Sequence, residues 1–71
     1  MRLVSIEKET GVDKILVNPE QIAALYIDIG VGGGDCVVIQ LSGGAGIRTK
    51  FTDLDHATDY LQRAASHSFT G

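Results

Sequence analysis

"CVVIQLSGGAGIRTKF", residues 36–51, is the stretch whose reading decides the fold. Residues 36–41 are rich in β-branched side chains and bounded by glycines on both sides, the pattern of a strand. In the segment that follows, Ile47, Thr49 and Phe51 alternate with Arg48 and Lys50, a period of two that also reads as strand. Only "SGGAG" separates the two runs. Parallel pairing would need a crossover of about a dozen residues or more, so these strands must be antiparallel.

The glycines therefore need an explanation. A dinucleotide-binding loop places its glycines after a strand and before a helix, so that phosphate meets the helix N-terminus. Here "GVGGGD" (30–35) and "SGGAG" (42–46) each run into a strand, and no Gly-Lys-Ser or Gly-Lys-Thr follows. They read as hairpin connections that require positive φ.

Working outward, "IAALYIDI" (22–29) alternates with Leu25, Ile27 and Ile29 on one side and Tyr26 and Asp28 on the other. "PEQIAALY" also permits a helix, but Ile27, Ile29 and the glycines after them favour strand. Before it, Asn18 and Pro19 suit a single helical turn. "RLVSIEK" (2–8) and "DKILV" (13–17) pair as a hairpin about Gly11, with Val4 and Ile6, and Ile15 and Val17, each sharing a face.

After residue 51 the period changes. "TDLDHATDYLQRAAS" (52–66) opens with Thr52 and Asp55, a Thr-x-x-Asp variant of the capping box. It places Leu54, Ala57, Leu61 and Ala64/Ala65 on one stripe of a helix. Asp53 and Asp55 lie at the positive end of its dipole and Arg63 near the negative end. Asp59 and Arg63 are spaced for an i,i+4 pair. The expected fold is α+β: an antiparallel meander of about five short strands with one C-terminal amphipathic helix packed on it. Residues 1–66 form one small domain, and 67–71 are expected to be a flexible tail.

Seventy-one residues make a chain that buries only about 60% of its unfolded surface. Disulfides, a metal or self-association usually compensate at this size. Cys36 is the single cysteine, and His56 and His67 are the only histidines, so neither a disulfide nor a structural metal is expected. Self-association remains, and the 44% hydrophobic content suits it. The apolar runs are far shorter than the ~20 residues of a membrane span. An unpaired cysteine and an N-terminus without a signal h-region fit a cytoplasmic protein. Six Lys and Arg against nine Asp and Glu, net charge −3, argue against a general phosphate-binding surface.

No catalytic, cofactor-binding or metal constellation emerges. Asp53, Asp55, His56 and Asp59 read as a solvated helix face, since 56 points away from the 55/59 row. Cys36 opens a strand without a neighbouring histidine and reads as a small semi-buried side chain. If the helix covers Leu25/Ile27/Ile29, Val37/Ile39/Leu41 and Ile47/Thr49/Phe51, the opposite face carries Tyr26, Cys36, Val38, Gln40, Arg48 and Lys50. That face is too apolar for plain solvent and too polar for a core. Tyr26, Val38, Gln40, Arg48 and Lys50 are accordingly the candidate interface, for a second copy of the chain or another protein. An ordinary sheet with one wet side is the competing explanation.

The order of "ETGVDKILVNPEQIAALYI", "VVIQLSGGAGIRTKF" and "TDLDHATDYLQ" resembles the FlbD-like (SwrD) family, small proteins found with flagellar genes and among phage-like small proteins. Val17-Asn18 and Ile22 match that family's central step, Leu41 and Gly44 its later turn, and Thr52 the position before its helix. Thr10-Gly11 stands in place of Asn-Gly, "GVGGGD" in place of a compact turn, and "TKFTD" lacks the family's Glu-Ser. The likeness spans roughly residues 5–61 and implies a small β-rich accessory protein with no catalytic residues to carry over. Composition and pattern thus converge on a non-enzymatic, self-associating accessory module, using the second sheet face or a strand edge. Two alternatives stand beside it. One is a nucleic-acid-binding sheet with Tyr26 stacking and Arg48 and Lys50 on phosphates. The other is an enzyme whose site is shared between subunits and uses His56 or Cys36.

Overall fold

The computed structural model describes the backbone of residues 3–70 and the side chains of residues 3–64. Five strands precede one helix: β1 (Val4–Glu7), β2 (Lys14–Val17), β3 (Ile22–Ile29), β4 (Asp35–Leu41), β5 (Gly46–Arg48) and α1 (Leu54–Thr70). A single 3₁₀ turn, Pro19–Gln21, joins β2 to β3, with the Asn18 side chain accepting from the Glu20 N–H at 3.0 Å. The ambiguous "PEQIAALY" thus divides into one capped turn and the start of a strand. The turn glycines behave as the sequence requires: Gly33 and Gly44, in the β3–β4 and β4–β5 connections, have φ of 87° and 99°.

The strands form two antiparallel sheets rather than one. β1 pairs with β2, and β3, β4 and β5 pair in chain order. The two meet at the bridge between Lys8 and Thr49, flanked by Glu9 N–H to Arg48 O at 3.0 Å and Lys50 N–H to Glu7 O at 3.1 Å. The hairpin thus forms a sheet of its own, and its apolar residues pack against those of the larger sheet. Val4, Ile6 and Val17 from the hairpin, Ile39 and Ile47 from the larger sheet, and Leu61 from the helix form the buried cluster. Burying these side chains is the main source of stability in a core this small.

The α1 stripe is placed as its periodicity demands. Ala57 is fully buried, Leu61 nearly so, and Ala64 packs against the cluster, while Leu54 at the first turn is more exposed. Two details differ from expectation. Asp53 caps the helix in place of Thr52: its carboxylate accepts from the His56 N–H at 3.0 Å and its carbonyl from the Ala57 N–H at 3.1 Å. Aspartate is among the strongest N-cap residues, ahead of threonine, so the helix starts one residue later than a Thr52 cap would give. The helical backbone also runs past Ser66 to Thr70. The flexible tail expected at 67–71 falls on residues whose side chains, and for residue 71 the backbone too, lie outside the described residues.

β3 departs most from the simple meander. Leu25 packs against the core as expected, but Ile27 and Ile29 do not face the helix: they are 39% and 72% exposed. The helix contacts β1 as well as β3, and of β3 only Ile22 and Leu25 are partly buried.

Candidate interaction surface

The second face of the three-stranded sheet has the residue row expected of it. Tyr26 on β3 lies opposite Val38 on β4, which lies opposite Arg48 on β5. Tyr26, Gln40, Arg48 and Lys50 are exposed, and Tyr26 is 44% accessible. Val38 is not: it is 3% accessible and is removed from the surface set. It is flanked by the two long side chains of its row, and a Cβ at Gly46 would already lie 3.6 Å from its Cγ1. A valine so enclosed contributes packing, not contact area for a partner.

Arg48 is the centre of an ion-pair cluster that joins the two sheets. Its Nε donates to Glu9 Oε1 at 2.9 Å and its Nη1 to Asp28 Oδ2 at 3.1 Å, while Nη2 donates to the Ile29 carbonyl. Glu9, just beyond β1, uses its second oxygen to accept from the Val31 N–H at 2.7 Å. Asp28 uses its second oxygen to accept from the Ile29 N–H at 2.8 Å. One guanidinium thus fastens the β1–β2 hairpin to the end of β3 and the glycine loop, in the forked geometry that suits arginine.

The electrostatics follow. The Arg48 hydrogen bond, then that from Val31, hold the Glu9 carboxyl below the usual carboxylate range. The Ile29 N–H, then Arg48, do the same for Asp28, and Arg48 is pushed further toward its charged form by both carboxylates. With Nε, Nη1 and Nη2 each donating to a protein acceptor, Arg48 is a clasp between the two sheets.

Cys36 lies behind this cluster. Its Sγ is 3.4 Å from the Thr49 carbonyl, and it is 2% accessible. Burial, then the negative charge of Glu9, push its thiol pKa up. A protonated, enclosed thiol is a poor nucleophile. His56 is on the exposed first turn of α1, its Nδ1 3.9 Å from Asp53 Oδ2. Among the described residues no three His, Cys, Asp or Glu side chains group as metal ligands. No helix among the described residues is long and apolar enough to cross a membrane.

A shallow groove of about 470 Å³ lies between the hairpin and the helix, lined by Ser5, Glu7, Lys14, Lys50, Phe51 and Tyr60. Its aromatic wall has a structural task. The rings of Phe51 and Tyr60 are 5.4 Å apart, and the Tyr60 hydroxyl donates to the Ser5 carbonyl at 2.6 Å, tying α1 to β1.

The remaining feature is the outer edge of β3. Among the described residues this strand pairs on one side only, with β4. Along it and just beyond, Tyr26, Ile27, Ile29 and Val31 are exposed apolar or aromatic side chains. Of these, the sequence reading put only Tyr26 on the surface. Its one charged residue, Asp28, is ion-paired with Arg48, which it shares with Glu9. No protein-family model, curated protein or solved structure matches this chain.

Proposed function

We propose that this chain is a non-enzymatic accessory module that self-associates, and that β3 supplies the contact. The carrying observation is the exposure of Ile27 and Ile29 on a strand whose outer edge has no partner among the described residues. Natural proteins usually guard such an edge with charge, proline or a covering loop. The charge here is tied back by Arg48, and the strand contains no proline. The chain's size supports the reading, because one small core without a disulfide leaves stability to be gained by association. The resemblance to the FlbD-like family adds the accessory role.

The test is the mass in solution. Sedimentation equilibrium across about 5–500 μM should show a concentration-dependent rise above the monomer mass. A monomer throughout that range would refute the proposal. Val38, which lies inside, is not the residue for probing the contact; Ile27 is.

A further inference from the structure

We infer that two copies of this chain join their β3 edges antiparallel about a two-fold axis at Tyr26, giving a six-stranded sheet across the dimer. The inference rests on the self-association reading and adds its register, which the free backbone groups of the edge determine.

On β4, Val37 and Leu41 direct their backbone groups toward the β5 side. Val37 N–H donates to Phe51 O at 2.9 Å, Val37 O accepts from Thr49 N–H at 3.0 Å, and Leu41 N–H donates to Ala45 O at 2.8 Å. Direction alternates along a strand, so Cys36, Val38 and Gln40 serve β3, through their partners Asp28, Tyr26 and Ala24. Leu25, Ile27 and Ile29 must therefore aim their N–H and C=O groups at the open edge. Ile29 is already satisfied, its N–H by the Asp28 carboxylate and its C=O by Arg48. Leu25 and Ile27 are left with two donors and two acceptors directed outward.

One symmetric register matches those groups to themselves. With the axis at Tyr26, Leu25 of each chain lies opposite Ile27 of the other, and each such pair exchanges both backbone hydrogen bonds. Moving the axis one residue to Ile27 would oppose Leu25 to the occupied Ile29. The side chains agree with the Tyr26 axis. On one face Leu25 meets Ile27 of the second copy, covering the apolar surface that α1 leaves bare. On the other, Tyr26 faces Tyr26 across the closely spaced non-hydrogen-bonded pair, a favourable cross-strand aromatic contact. Asp28 then falls opposite Ala24 of the second copy, so no like charges meet. A second copy, rather than an unrelated strand, is the occupant because the edge is complementary to itself.

A pairing this short is smaller than the ~20–30 residues a side of a standard interface, so the dimer is expected to be weak. Two variants test it. At the axis, Cα atoms of the two Tyr26 residues would be about 4.5 Å apart, inside the ~4.4–6.8 Å span of a disulfide. Tyr26→Cys should therefore oxidise to a covalent dimer under mild conditions, whereas Val31→Cys, more exposed but beyond the pairing, should not do so at a comparable rate. Ile27→Lys should weaken the dimer by about tenfold or more, with the circular dichroism of the folded monomer retained. If the wild type associates but Tyr26→Cys crosslinks no faster than Val31→Cys and Ile27→Lys associates normally, the β3 pairing is wrong while self-association stands. If the wild type is monomeric up to about 500 μM, both readings fall together.

Discussion

A Cβ added at Gly30 would lie 2.8 Å from Glu9 Oε2 and 3.2 Å from the Gly34 carbonyl. Its glycine is required by the closeness of the Glu9 carboxylate, which reaches across to the Val31 N–H. Gly30→Ala should therefore displace that carboxylate and lower stability by about 1–2 kcal/mol. Gly32→Ala, with open space around its Cβ and an ordinary φ, should change it by no more than about 0.5 kcal/mol. Urea unfolding of the two variants compares them directly, and equal effects would refute the assignment. The glycines look alike in the sequence, because the neighbour that separates them sits twenty-one residues away at Glu9. Cys36 offers a second check at this scale. Burial and the nearby Glu9 raise its pKa, so at pH 8 it should react with a thiol reagent about a hundredfold more slowly in the native protein than in urea. Reaction at the unfolded rate would show that the site is open.

Among the elements, the N-terminus of α1 depends on Asp53, whose carboxylate and carbonyl hold the N–H groups of His56 and Ala57. Asp53→Ala should cost about 1 kcal/mol, and Thr52→Ala much less, as measured by thermal or urea unfolding. The joint between the two sheets depends on Arg48. Glu9 and Asp28 have folded pKa values below their ordinary ones, so the stability they contribute is complete above the ordinary carboxylate range. It is lost as pH falls through that range toward the lowered folded values. Wild type should accordingly lose more stability between pH 6 and pH 3 than Arg48→Gln, in which the carboxylates no longer have their cation. Parallel acid sensitivity in the two proteins would show that the clasp carries no linkage. That Asp28 shares a face with Arg48 was legible in the alternation of their strands. Glu9's part in the cluster was not, because it follows from where the hairpin lands on the larger sheet.

For the molecule as a whole, the core is small enough that one side chain is a large share of the total. Ile39 is completely buried at the junction of both sheets and the helix. Ile39→Ala should cost about 2–5 kcal/mol, against a total of about 4–10 kcal/mol for a chain of this length. A urea midpoint close to that of wild type would mean that the cluster is not the centre of stability. Association should appear at this scale too. If dimer forms only from folded chains, the melting temperature will rise with protein concentration, and Ile27→Lys will flatten that dependence.

The secondary-structure elements were legible in the residue pattern alone. β-branched runs bounded by glycine, strict alternation at 47–51 and the 3.6-residue stripe after Asp53 are local properties, and local geometry follows from them. The absence of a helix after either glycine cluster was likewise enough to make them turns. Which side of each element meets water depends instead on how the elements pack together. Val38 is enclosed by its own row and the close approach of Gly46, while Ile22 and Leu25 but not Ile27 or Ile29 pack against the core cluster. Alternation sorts a strand's residues into two faces but leaves unstated which face, and how much of it, another element will reach. The edge of β3 is exposed for that reason, and Arg48 became a clasp for the same one: both depend on contacts between residues twenty or more apart in the chain.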